Sequence, residues 1–219
     1  MRIYLKLSKS KKQLPFNYQP YLTGALHKWI GSENELHEGV SLYSFSWLQD
    51  VNVNSNGINV TDRSYFFISA FDDGLIKRII SGIINDPCLC FDIHVTDVEI
   101  AEEPTFLNKH TFLVASPVFI KRRFENKIKH LVYSDADSKQ YLTETLQKKL
   151  LLAGLDPRGV GVAFEASFSS PRVKLIRYKA VDNRVSICPV VVEGTPEQIA
   201  FAWNVGVGNS TGIGFGALK

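Results

Sequence analysis

Residues 1–7, MRIYLKL, alternate apolar and polar side chains, the pattern of a strand with one buried face. A helix follows from about Pro20 to Ile30. Proline suits its first turn, and Leu22, Ala25, Leu26, Trp29 and Ile30 share one face. SLYSFSWL (41–48) and SYFFISAF (64–71) read as strands joined through the polar stretch NVNSNG. Asp72 or Asp73 caps a second helix, whose apolar stripe is Leu75, Ile76, Ile79, Ile80 and Ile83. Pro87 ends that helix, and CLCFDIHVTDVEIA (88–101) returns as a single strand, so the order is βαββαβ.

After EEPTFLNKH the order recurs. TFLVASPVFI (111–120) reads as a strand, and SKQYLTETLQKKLLLAG (138–154) as a helix closed by a C-terminal glycine. VAFEASF (162–168) is a further strand. RVKLIRYKAVDNRVSICPVVV (172–192) is a hairpin with Asp182-Asn183 at its turn. TPEQIAFAWNV (195–205) is a helix with Thr195 as cap and Pro196 at its first position, and IGFGALK (213–219) a last short strand. The pattern predicts an α+β chain of two tandem ferredoxin-like (RRM-like) βαββαβ domains, residues 1–105 and 110–219, with a C-terminal glycine-rich loop. Such a sheet serves RNA recognition elsewhere, but a fold does not fix a function.

The 219 residues and 45% apolar content are those of an ordinary globular chain. No apolar run is long enough to span a bilayer, so no membrane partner is expected. The charged start MRIYLKLSKSKK has no apolar h-region. Cys88, Cys90 and Cys188 make no disulfide framework, so the expected compartment is the cytoplasm. The N-x-[ST] matches at Asn59 and Asn209 are then chance occurrences. Charge divides unevenly. Residues 1–109 carry 10 Lys and Arg against 13 Asp and Glu, a net of −3; residues 110–219 carry 15 against 9, a net of +6. The second half is the one suited to a polyanion.

The densest chemical signal is VGVGNSTGIGFGALK at the C-terminus. Glycines let backbone N–H groups approach a ligand, and successive N–H groups favour anions. A helix precedes these glycines, whereas a dinucleotide fingerprint needs a strand before it and a helix after it. The Gly-Lys-[Ser/Thr] of a P-loop is absent. GNSTG (208–212) matches G-x-S-x-G, yet no histidine follows His130, so Ser210 is rejected as a hydrolase nucleophile. G-x-G-x5-G-F-G, here Gly206, Gly208, Gly214, Phe215 and Gly216, resembles the terminal signature of the CRISPR-associated repeat-processing endoribonucleases of the RAMP superfamily. FNYQPYLTGALHKWI (16–30), LHEGVSLYSFS (36–46) and ASPVFI (115–120) resemble segments of that family in the same order, so the resemblance spans nearly the whole chain.

The resemblance implies cleavage of CRISPR repeat RNA without metal or other cofactor. The 2′-hydroxyl attacks the adjacent phosphate and leaves a cyclic phosphate and a 5′-hydroxyl. That reaction needs a base, an acid and stabilisation of the phosphorane by cations or N–H donors. Histidine suits the first two roles. His37, in LHEG, matches the position of the family's catalytic histidine; a surface loop histidine is the other reading. His27 lies far around its helix from the stripe of Leu22, Ala25 and Trp29, so it is either catalytic or merely solvated. Family members often carry Tyr at the position of His27 and Lys shortly after His37. Ser41 stands near that Lys position here, and Lys28 is the candidate substitute. Cys88, Cys90, Asp92 and His94 alternate along the expected strand but, spaced roughly 7 Å apart, cannot converge on one metal ion.

Basic residues expected to meet RNA phosphates are Lys121, Arg122 and Arg123 at the end of one strand, and Arg172, Lys174, Arg177 and Lys179 along the hairpin. Gly206, Gly208, Gly214 and Gly216 join them as amide donors. A solvated charged face is the alternative. The partner implied is CRISPR repeat RNA in its precursor transcript. The subunits of a CRISPR interference complex and a homodimeric copy stay open. The rival function is a non-catalytic RNA-binding subunit of such a complex; a small-molecule-binding regulator is a third.

Overall fold

The computed structural model describes residues 1–31, 40–125 and 127–219. Its first half runs β1 (Arg2–Leu7), α1 (Gln19–Ile30), β2 (Tyr43–Phe45), β3 (Asn52–Asn54), β4 (Gly57–Asn59), β5 (Tyr65–Ala70), α2 (Asp73–Asn85), β6 (Cys88–Cys90) and β7 (Ile93–Ala101). Strands β2-β5-β1-β7-β6 lie side by side in that order, every pair antiparallel. Alternation sets the faces. Ile3, Leu5 and Leu7 of β1 join Phe66 and Ile68 of β5 in a core with α1 and α2. Asp72 caps α2 by accepting from the amides of Gly74 and Leu75. The two helices meet so closely that a Cβ on Gly82 would lie 2.6 Å from Trp29 Cα.

The second half runs β8 (Lys109–Phe112), β9 (Ile120–Phe124), β10 (Lys127–Leu131), α3 (Ser138–Leu152), β11 (Gly161–Phe164), β12 (Arg172–Tyr178), β13 (Val181–Ile187), β14 (Val190–Glu193) and α4 (Pro196–Val205). Its strands form a three-stranded sheet, β11-β14-β8, and two hairpins, β9-β10 and β12-β13, again antiparallel. A second core gathers side chains from Phe106 to Leu218. Thr195 and Gln198 form a reciprocal capping box at the start of α4. The fold is mixed α+β, with four helices among the described residues. None of them is long and apolar enough to cross a membrane.

Four local expectations change. The connection NVNSNG folds as the small hairpin β3-β4, its turn closed by Asn54 Oδ1 accepting from the amides of Asn56 and Gly57. Residues 88–101 are two strands. Phe91 turns the chain with φ 52°, and Cys88 then pairs with His94 across the hairpin. Residues 111–120 break around Ser116-Pro117, and the C-terminal tail pairs there through the single bridge Val114–Leu218 in place of a regular last strand. The β12-β13 turn falls at Lys179-Ala180, since Tyr178 pairs with Val181. Asp182 is instead held in the ladder by Arg177, at 2.8 Å, and the Asn183 amide donates to Ile176 O and Val181 O.

The halves are joined by a buried cation. The Arg2 guanidinium lies between the rings of Phe67 and Trp203, 4.0 and 3.6 Å from their centroids. It donates to Ser69 Oγ, Trp203 O and Leu218 O. Burial lowers its pKa to about 10.

The α1–α2 contact yields a sign reversal. Gly→Ala inside a helix normally stabilises by up to about 1 kcal/mol. Gly82→Ala should destabilise by more than about 1 kcal/mol, because the added methyl meets Trp29 backbone. Urea unfolding of the variant measures this, and an unchanged or raised midpoint would contradict it.

Candidate functional site

The glycines of the C-terminal segment are shaped by close backbone packing. Gly206, Gly208, Gly214 and Gly216 all have positive φ, as does Ser210. A Cβ on Gly208 would lie 2.5 Å from Phe119 O, and one on Gly216 would overlap Val207 O. Their amides are largely committed. Gly206 donates to Ala202 O, Gly214 to Thr211 O and Gly216 to Pro117 O. These three cannot serve as the expected anion donors, while the Gly208 amide has no acceptor among the described residues.

What holds the segment is Lys149, 2% exposed on α3. Its ammonium donates to Val205 O (2.8 Å), Gly206 O (3.2 Å) and Thr211 Oγ1 (3.0 Å). Three acceptors match the three donors of an ammonium, and two are carbonyls at the C-terminal end of α4, where the helix dipole favours a cation. Thr211 Oγ1 in turn donates to Tyr43 O, and Tyr43 Oη to Gly212 O, which ties β2 into the same knot. Trp47 Nε1 donates to Gly214 O, and the Gln19 amide of α1 to Ile213 O. Burial without a carboxylate partner pushes the Lys149 pKa down to about 7. The sequence held one signal of this residue: a lysine standing in the apolar stripe Leu142, Leu146, Leu150.

Beside the knot opens a cleft of about 550 Å³. Val40 and Ser41 line it from the first half; Lys121, Arg122 and Lys148 line it from the second, with Gly208 and Ser210. Arg122 is pinned: it donates to Tyr141 O and Thr145 Oγ1 at 2.8 Å each and lies over the Tyr141 ring. Pairing puts Lys121 and Arg123 on the opposite face of the β9-β10 hairpin. Arg172 and Lys174 share one face of the neighbouring hairpin, Arg177 is ion-paired on the other, and Lys179 stands at the turn with φ 54°. The hairpins touch where the Arg184 amide donates to His130 Nδ1. Of the expected basic residues, then, Lys121, Arg123, Arg172, Lys174 and Lys179 form no ion pair among the described residues.

His27 sits half-buried in the last turn of α1, about 40° round the helix from Thr23 and about 80° from Gln19. Gln19 and Thr23 are buried although neither is apolar; the Gln19 amide packs on the glycine-rich segment through Ile213 O, and Thr23 Oγ1 donates to Gln19 O. His27 therefore lies at the margin of this contact. Lys28 is drawn the other way, to Asp86 Oδ2 (2.8 Å) and Cys88 O (2.6 Å), and it holds the Asp86 carboxyl below its ordinary pKa. His37 lies outside the described residues. Cys88, Cys90, Asp92 and His94 fall on two strands and a turn. Among the described residues no three His, Cys, Asp or Glu are grouped as a metal ion needs.

Lys149 makes the fold sensitive to pH. An unfolded lysine holds its proton to about pH 10.4. Between about pH 7 and that value the native chain binds fewer protons than the unfolded chain, so stability rises with pH and falls as pH drops towards 7. The melting temperature of the native protein minus that of Lys149→Met should grow from pH 7 to pH 9.5. Parallel profiles would contradict the lowered pKa of the buried Lys149.

Residues 101–219 match the family model described as CRISPR associated protein Cas6, C-terminal. The chain is 22% identical, over its full length and 89% of the relative's, to the CRISPR-associated endoribonuclease Cas6 of Pyrococcus furiosus. It is 25% identical, over its full length and 92% of the relative's, to the CRISPR-associated endoribonuclease Cas6 1 of Methanocaldococcus jannaschii. A solved structure called CRISPR associated protein Cas6 shares the fold with a TM-score of 0.84 at 24% identity, covering all of this chain and 98% of the other. Another, described as a RAMP protein binding different RNA substrates, does so with 0.86 at 20% identity and the same coverage. The matched model spans more than half of the chain and includes the glycine-rich segment, and the chain belongs to the CRISPR-associated Cas6 family.

Proposed function

We propose that this chain binds CRISPR repeat RNA and cuts it within the repeat by attack of the RNA's own 2′-hydroxyl, with no metal in the step. The observation that carries the reading is the junction at the glycine-rich segment. One side of that segment packs on the helix bearing His27, and the other borders a cleft lined by Lys121 and Lys148. The names of the two similar endoribonucleases support the activity. Residues 1–105 and 110–219 act in this reading as two ferredoxin-like units, supported by their separate cores.

The chemistry divides among few groups. The attacking hydroxyl is already tethered beside its phosphate, so the protein's task is alignment and two proton transfers. His27 and His37 take those roles, one as base and one as acid. Lys148 and the Gly208 amide can stabilise negative charge where the cleft meets the glycine-rich segment, with Lys121 on the other face of the β9-β10 hairpin beside Arg123. Lys28 is engaged by Asp86, so as a third catalytic cation it would first have to leave that pair. Arg123, Arg172, Lys174 and Lys179 hold the RNA backbone, which a stem presents by shape more than by sequence.

His27→Ala and His37→Ala should each slow single-turnover cleavage of a repeat RNA by about 10²–10⁴-fold with affinity nearly unchanged. His94→Ala is the control, since that side chain is exposed and its ring hydrogen-bonds, among the described residues, to Asp92 O. Wild-type rates in both target variants would move the site elsewhere. Binding without cutting by the unmodified protein would favour the non-catalytic RNA-binding subunit.

A further inference from the structure

Where α1 meets the β6-β7 turn, two aromatic rings are left exposed. Tyr21 is 43% exposed and Phe91 58%, with ring centroids 4.9 Å apart and planes tilted by 58°. Phe91 reaches this position from the β6-β7 turn at φ 52°. A bulky residue there is a backbone outlier, and burial of its ring does not compensate for it. Gly24 follows Tyr21 on the same helical stripe, and no described residue outside its own helix lies within 4 Å of a Cβ built there.

Beside the rings runs a basic tract. Lys9, Lys11 and Lys12 are exposed and form no ion pair among the described residues. The tract is held against the aromatic turn by backbone. The Lys11 amide donates to Asp92 Oδ2 at 2.7 Å, and the Ser8 amide to His94 O. Asp86 is paired with Lys28, while Asp92 accepts the Lys11 amide through Oδ2 and keeps its charge, its Oδ1 having no partner among the described residues. The surface thus combines unpaired ammonium groups with exposed aromatic faces, the combination that takes up single-stranded nucleic acid through phosphate pairing and base stacking. Tyr21 precedes His27 by six residues on one helix, a rise of about 9 Å. Six residues also turn the helix so that Tyr21 lies about 120° round it from His27.

We propose that Lys9, Lys11, Lys12, Tyr21 and Phe91 form a platform for single-stranded RNA, which holds nucleotides flanking the stretch that reaches His27. The proposal rests on the reading of the chain as a repeat-RNA endoribonuclease. It adds a second contact, in the acidic half of the chain, to the basic second half. The ligand is an unpaired polynucleotide; a protein partner is the competing occupant.

The test is binding of a fluorescein-labelled 12-nucleotide oligouridine, which does not pair with itself, followed by anisotropy. Tyr21→Ala puts the best helix former at an exposed site, and Phe91→Asn keeps a residue that tolerates positive φ. The double variant should bind oligouridine at least tenfold more weakly than the native protein. Lys11→Ala with Lys12→Ala should weaken it too and flatten its salt dependence by about two phosphate contacts. Melting temperatures should be unchanged in both. Oligouridine binding that is absent from the native protein, or equal in both variants, overturns the platform. Cutting of a bare stem-loop repeat is measured alongside. Its absence would sink the endoribonuclease reading, whereas oligouridine binding lost in the variants would still establish the platform.

Discussion

A single buried ammonium, that of Lys149, organises the part of the molecule where the chain's ends and halves meet. It ties α3 to the end of α4 and to Thr211, and Thr211 reaches β2 through Tyr43 O. Around it the glycine-rich segment winds so tightly that side chains at Gly208 and Gly216 would overlap backbone carbonyls. The last residues then pair with 113–117, and Leu218 O accepts from Arg2 in β1. Two buried cations, Arg2 and Lys149, are each satisfied mainly by carbonyl oxygens rather than by carboxylates. Such a cation is costly to strand, which makes the geometry around it hard to deform.

The consequence for the site is a division of labour among the glycines. A motif that reads as a row of anion donors turns out to be chiefly a packing device, because Gly206, Gly214 and Gly216 donate inside the protein. Gly208, Ser210 and the lysines at the cleft rim are what remains to meet a ligand. The segment also presents its second side to α1, where Ile213 O accepts from the buried Gln19 amide.

The sequence made some of this legible. Helix ends were readable because their signals are local: Asp72, one of two candidate caps, and Thr195 cap their helices. Alternation marked Ile3, Leu5 and Leu7 of β1 as its buried face, but Arg2, on the other face, is buried as well. Turns were less readable. Alternation continues through Phe91-Asp92 as if no turn were there, because the turn rests on one residue's positive φ and a contact with Lys11, far away in sequence. Asp182-Asn183 has turn chemistry, yet an ion pair and two side-chain hydrogen bonds keep both residues in the ladder. His27 stands off the apolar stripe, as its spacing predicts, and is half-buried in the last turn of α1. Lys149 was overlooked because a lysine in a helix reads as solvated unless its neighbours on the stripe are weighed.

The central claim is that the attacking oxygen belongs to the RNA and the protein only aligns it and moves protons. Replacing the one nucleotide upstream of the cut by its 2′-deoxy form tests this most directly, with the reaction run in excess EDTA. The account predicts that the unmodified RNA is cut in EDTA to a cyclic phosphate and a 5′-hydroxyl, while the deoxy RNA binds with nearly the same affinity and stays intact. Cleavage of the deoxy RNA at the same bond, or loss of all cutting in EDTA that magnesium restores, would contradict it.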